Sequence, residues 1–216
     1  MLQLFLPIYW ASSYIIHRLI VLPNLYCSFG LRVIFFLHAK NIDKKVVVLA
    51  GIAFLFSWIG DLFMMFAADF LYFVCGIASF LIAQVVYSFL FLRTIDLSGK
   101  KPFLKKKPMW LIPYIAFGLI VYIVLFPQLE LALRIAIFVY VLAILAMSAM
   151  ALNRFGNGHP ISFSLVFAGS LFFVLSDSLI AVNRFLVSIP YEGLLVMVCY
   201  IAAQYLIMLG LLKQYE

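Results

Sequence analysis

Two aspartates interrupt otherwise apolar sequence, Asp61 inside the stretch Val46–Phe66 and Asp177 inside the stretch that starts at Ile161. An aspartate at the centre of a hydrocarbon layer is penalised by about 2.5–3.5 kcal/mol even on lenient insertion scales, so it rarely persists without a task. One task is structural: ion pairs with Arg32 or Arg184 that hold helices together. The other is a polar cavity in which two carboxyl groups act as proton donor and acceptor. The surrounding residues favour the cavity. Ser57 lies one helical turn before Asp61, Ser176 adjoins Asp177, and Arg184 follows two turns along the same face. The helix after each acid repeats a pair of residue types, Gln84 with Tyr87 and Tyr200 with Gln204. Arg134 begins another apolar run and, with Arg32 and Arg184, has the chemistry to hold a lipid phosphate. The same arginines would equally serve to snorkel to the interface.

Other chemistries find less support. His17, His38 and His159 show no His-x-x-x-His or Glu-x-x-His spacing and fall at different depths, so no metal centre and no cofactor are expected. No serine sits in a Gly-x-Ser-x-Gly turn, and no histidine shares a depth with a candidate nucleophile, which disfavours an acyl-enzyme. Cys27, Cys75 and Cys199 lie in apolar sequence without a Cys-x-x-Cys pair and read as small hydrophobes. The net charge of +7 is spread over short loops rather than a polar domain, so nucleic acid is not an expected partner.

The elements that must position these residues follow from composition. With 68% hydrophobic and 11% charged residues and a mean hydropathy of +1.20, the chain is too apolar for a water-soluble fold. Backbone in lipid must satisfy its own hydrogen bonds, which leaves helices or a closed barrel. Apolar runs of about twenty residues, rather than alternating segments of about ten, select helices. An all-α bundle of about eight transmembrane helices is expected, at 2–22, 24–39, 46–67, 69–93, 110–127, 129–152, 161–184 and 190–213. Breakers separate them: Pro23-Asn24, Pro127, the segment Gly156–Pro160, and Pro190. The second is short and carries Arg32, so seven is the alternative count.

Of the fifteen Lys and Arg residues, eleven fall in one set of loops, among them Lys40, Lys44, Lys45, Arg93, Arg154, Lys213 and the cluster Lys100–Lys107. Arg18, Arg32, Arg134 and Arg184 remain on the other side. The positive-inside rule then places both termini in the cytoplasm and the chain in the cell membrane, with a retained rather than cleaved first helix. The basic segment Gly99–Lys107 reads as a topology signal that also suits anionic headgroups. In this arrangement Asp61, about fifteen residues into its helix, and Asp177, about sixteen into its own, reach the same depth. Residues 1–216 form a single transmembrane domain, with a tandem four-helix duplication, about 1–100 and 110–216, as a possible origin.

These motifs resemble a known family. Ser57-Trp58-Ile59-Gly60-Asp61 with Phe70, Gly76 and Phe80 is similar to one signature of the lysoplasmalogenase-like YhhN membrane family. The run from Gly169 through Ser176-Asp177-Ser178-Leu179 to Arg184-Phe185 resembles its second signature, and Tyr200 to Ile207 its last-helix motif. The resemblance covers most of residues 46–210. It departs at Gln84, where the family usually has a histidine in an Ala-His-x-x-Tyr motif, and the first two helices match poorly.

The resemblance implies hydrolysis of the vinyl ether bond of a lysophospholipid to a fatty aldehyde and a glycerophospho-alcohol, within a membrane and without a cofactor. Two buried carboxyls suit that reaction. Protonation of the β-carbon generates an oxocarbenium ion that water attacks, much as an acid and a carboxylate share the work in glycosidases. One aspartate would stay protonated as the acid while the other, ionised, steadies the cation. The reading of a different class is a non-catalytic lipid binder or transporter that uses the paired acids as a relay.

Overall fold

The computed structural model describes residues 26–27, 29–95 and 101–216. The expected helix 2–22, with His17 and Arg18, lies outside them. The described residues form helices joined by turns: α1 (helical over 29–38), α2 (Lys44–Met64), α3 (Phe70–Arg93), the short α4 (Phe103–Lys106), α5 (Ile112–Leu125), α6 (Leu131–Leu152), α7 (Pro160–Phe185) and α8 (Glu192–Lys213). Among the described residues six helical segments are long and apolar enough to cross a bilayer: α2, α3, Pro108–Gln128 around α5, α6, α7 and α8. The described part of the expected second helix spans only about 15 Å at 1.5 Å per residue.

Local chemistry sets the ends. Asp43 accepts a hydrogen bond from the Lys45 amide at the start of α2, and Asp69 accepts one from the Leu71 amide at the start of α3, each satisfying a donor the helix leaves open. Pro160 opens α7, where its missing N–H does no harm. The expected span 110–127 is a shorter α-helix than anticipated, because its prolines divert it into 3-10 turns at Pro108–Leu111 and Phe126–Gln128. Gly156 and Gly158 turn the chain between α6 and α7 with φ of 71° and 110°, values that a side chain would disfavour.

Two antiparallel hairpins, α2–α3 and α7–α8, form the centre; α6 packs against both α3 and α7, and α5 lies outside on α6. Small residues let the helices approach. A Cβ on Gly210 would meet Val166 N at 2.9 Å and Ser162 O at 3.0 Å, and one on Gly169 would meet Ala203 O at 2.9 Å. These are backbone atoms, so α7 and α8 can sit this close only with glycine at both places.

The ends of the bundle differ in charge. The lysine-rich end holds the turns before α2, after α3 and after α6 together with the end of α8. There Arg154 is 1% exposed, and its Nη2 donates to Ser162 Oγ at 2.7 Å and Gln214 Oε1 at 3.1 Å. Burial pulls its pKa down to about 10, still high enough to keep its charge at neutral pH. Ser162 Oγ in turn donates to Gly210 O, so Arg154 ties α6, α7 and α8 together. The lysine-poor end holds the α2–α3, α5–α6 and α7–α8 turns, and the acids lie toward it.

Candidate active site

Asp61 stands 17 residues beyond Lys44 on α2, and Asp177 stands 17 residues beyond Pro160 on α7. Both helices run the same way, so each acid lies about 25 Å from the lysine-rich start of its helix. The matched depth expected from the spacing is what brings them together. They line one cavity of about 330 Å³, with Ser176 and Tyr200 beside them and Ala67, Asn183, Arg184 and Glu192 toward the lysine-poor end.

Hydrogen bonds fix both carboxyl groups. Tyr200 Oη donates to Asp61 Oδ2 at 3.0 Å. Gln84 Nε2 donates to Asp177 Oδ2 at 3.1 Å, and Tyr140 Oη donates to the same oxygen at 2.5 Å. Among the described residues, the Oδ1 atoms accept no hydrogen bond from a side chain. The bonds cross between the hairpins: α8 holds the acid of α2, and α3 holds the acid of α7. A third bond, from Tyr87 Oη to Gln204 Oε1 at 2.8 Å, closes the crossing with both residues buried. Phe80 and Phe173 pack edge-on against the Tyr200 ring, at centroid distances of 6.0 and 5.6 Å, and leave the phenol little freedom.

The ion pairs offered as the structural alternative are not formed. Among the described residues the salt bridges are Arg93–Asp43 and Lys213–Glu216, both at the lysine-rich end. Neither aspartate is within 4.0 Å of a cationic nitrogen of Arg32 or Arg184, so no direct ion pair holds either acid inside the membrane.

The remaining expected site residues fall into three groups. Ser176 and Arg184 line the cavity with the acids; Ser176 Oγ donates to Val196 O, and the Arg184 guanidinium lies 4.7 Å from the centre of the Phe73 ring. Ser57, Tyr87, Gln84 and Gln204 are fully or almost fully buried around the acids rather than on the cavity wall. Arg32 and Arg134 are off the cavity wall, although the Arg32 guanidinium, with Nε and Nη2 buried, lies within electrostatic range of Asp61. Arg32 borders a groove between α1 and α2 with Val48, Gly51 and Trp58. Arg134 sits over the Phe126 ring at 4.1 Å and donates from Nε to Leu129 O at 2.9 Å.

Sequence reasoning missed Tyr140. It is one of twelve tyrosines, in an α6 with no other polar landmark near it, and only the packing of α6 on α3 and α7 aims it at Asp177. Its sole advance sign was a hydroxyl in the middle of a membrane-length apolar helix. Also unforeseen was a narrow apolar arm that meets the acid cavity at Asp177. Ile77, Val121, Leu125, Ile137, Val141 and Ala181 wall it between α3, α5, α6 and α7. Met64, Phe73, Phe80 and Ile180 border both spaces.

The sequence profile of the YhhN family matches residues 25–211. The chain is 31% identical to the human protein named lysoplasmalogenase TMEM86A over 168 residues, which is 76% of this chain and 65% of that protein. It is 32% identical over the same length to the bovine lysoplasmalogenase TMEM86A, again with 76% and 65% covered. The chain thus spans slightly less than two thirds of the length of these curated relatives. No solved structure matches it. The profile takes in α2 to α8 almost whole, including both aspartates and every hydrogen-bond partner that holds them: the chain belongs to the YhhN family.

Proposed function

We propose that the chain is a membrane-embedded hydrolase that cleaves the vinyl ether bond of a lysophospholipid. The observation that carries the reading is the pair of aspartates on one cavity, each held through Oδ2, neither spent on an ion pair. The relatives' name supplies the substrate class, and the geometry suits it. A single-chain amphiphile would place the first carbons of its tail in the apolar arm, whose volume is about 60 Å³, and its polar end toward the mouth at Arg184. The junction at Asp177 then receives the ether.

The reaction takes up one water. One aspartic acid delivers its proton to the β-carbon of the vinyl ether, and the C=C electrons form the new C–H bond. The positive charge left on the α-carbon and ether oxygen is stabilised by the second, ionised aspartate. Water adds to the α-carbon and returns a proton to the aspartate that gave one. The hemiacetal so formed collapses to the fatty aldehyde and the glycerophospho-alcohol. Gln84 and Tyr140 keep Asp177 aimed, and Tyr200 keeps Asp61 aimed. At Gln84 the amide holds the carboxylate but, unlike the histidine usual at that position, has no proton to exchange near neutral pH.

The test is direct. Purified chain in detergent micelles, incubated with a lysoplasmalogen, is expected to release aldehyde, and the matching saturated ether is expected to survive. Binding without aldehyde would leave the lipid-binding alternative standing and remove the hydrolase. For topology, we place the lysine-rich end in the cytoplasm of the cell membrane. A cysteine introduced at Lys107 should resist a membrane-impermeant thiol reagent added to intact cells. Strong labelling there would invert the assignment.

A further inference from the structure

A second pocket of about 360 Å³ opens at the lysine-poor end, between the starts of α3 and α6 and the end of α7. Phe70, Phe73, Gln128, Glu130 and Arg184 are among the residues that line it. It is not an isolated dimple. Arg184 and Phe73 also wall the acid cavity, and Phe73 borders the apolar arm as well. Three spaces therefore meet around one buried aromatic ring.

The outer pocket carries opposite charges that do not neutralise each other. Among the described residues neither Glu130 nor Arg184 takes part in a salt bridge. Glu130 occupies the residue before α6 yet makes no capping hydrogen bond with its side chain, so its carboxylate is not committed to the helix. Arg184 rests against Phe73 and donates no hydrogen bond to another described residue. A lone anion bound here would face Glu130, and a lone cation would face Arg184. A ligand that carries both signs a few atoms apart satisfies both walls, with aromatic rings beside the cation.

We propose that this outer pocket is the seat of the substrate's polar end and selects a zwitterion, with Arg184 taking a phosphate and Glu130 the ammonium group tethered to it. The assignment rests on the lipid-hydrolase reading above, and it adds a discriminating residue, Glu130, that lies outside the acid cavity. Phosphate contacts at Arg184 hold any phosphorylated head. Glu130 rewards an ammonium and repels a second negative charge. The shared wall at Arg184 and Phe73 sets the distance from the head to the reacting bond.

Binding of saturated ether lysophospholipids tests this without any turnover. The probes are an alkyl-glycerophosphocholine, the corresponding alkyl-glycerophosphate and the headless alkylglycerol, titrated against detergent-solubilised full-length chain. The wild type should prefer the phosphocholine probe. Glu130→Gln should weaken that probe by about fivefold, the upper range for an exposed charge pair, and leave the phosphate probe unchanged or tighter. Glu130→Lys should reverse the preference. Arg184→Gln should weaken both phosphorylated probes and spare alkylglycerol. Equal effects of Glu130→Gln on the two phosphorylated probes, or none on either, would overturn the assignment, as would wild-type binding that ignores the head. Because no bond is broken, a chain that binds as described but releases no aldehyde from lysoplasmalogen would refute the hydrolase and keep the pocket.

Discussion

Replacing Asp61 or Asp177 by asparagine is expected to lower aldehyde release by on the order of 10²–10⁴, the loss typical of an essential proton-transfer group. Asparagine keeps the shape and can still accept the hydrogen bond from Tyr200 or from Tyr140 and Gln84. It can neither deliver a carboxylic proton nor carry the negative charge that steadies an oxocarbenium ion. Fold and chemistry separate well here, because neither acid is engaged in a salt bridge. The melting temperature in the same detergent should therefore change little. Had the acids been helix glue, loss of an ion pair would have shown first in stability. Turnover close to that of the wild type in either variant would take that residue out of the mechanism.

The second large effect should come from closing the apolar arm. Ala181 follows Asp177 by four residues, so it sits one turn along the same face of α7, and it lines the arm. An indole at that place would occupy the space proposed for the first carbons of the chain. Ala181→Trp should reduce cleavage of a long-chain vinyl ether by roughly 10–200-fold, the range seen when a hydrophobic pocket mismatches its ligand. A short-chain vinyl ether, which needs only the junction at Asp177, should retain most of its turnover. Ile123→Trp, on the exposed face of α5, adds the same bulk toward lipid and serves as the control. Equal losses on long and short chains in Ala181→Trp would mean that the tail runs elsewhere.

The two aspartates were legible because charge in hydrocarbon is costly and cannot hide, and their common depth followed from counting residues along helices of known direction. Gln84 and Tyr200 were legible as types that recur after each acid, but not as partners of the acid in the other hairpin. Their pairing depends on how α2–α3 and α7–α8 dock, and that information is spread over sequence separations of 93 and 139 residues. Helices that are apolar on every side compound the difficulty. Lipid and protein interior are equally welcoming to leucine, so composition does not tell which face of α6 points inward, and Tyr140 stayed unread for that reason. Arg134 was grouped with the acids by its position near the same end of the bundle. Arg134 turned instead to the Leu129 carbonyl beside it, a satisfaction that depends on the α5–α6 turn and not on helical spacing. Among the described residues, the limits of the six membrane-length helices came out within a few residues because prolines and Asp caps are local signals.

The crossing of the two hairpins has a consequence for how the protein is made. Asp61 waits for a phenol that lies 139 residues further along the chain, and at roughly 5–20 residues per second of synthesis that delay is about 7–28 s. During that interval α2 must enter the bilayer with its acid unaccompanied by Tyr200, carried by the mean hydropathy of 2.2 in its most apolar window. Asp177 fares differently: Tyr140 and Gln84 have already left the ribosome when α7 emerges. The half-site on α7 can thus assemble as its helix inserts, whereas the half-site on α2 is completed only when α8 emerges. The order of the helices in the chain makes arrival of α8 the event that completes the hydrogen bonds of both acids.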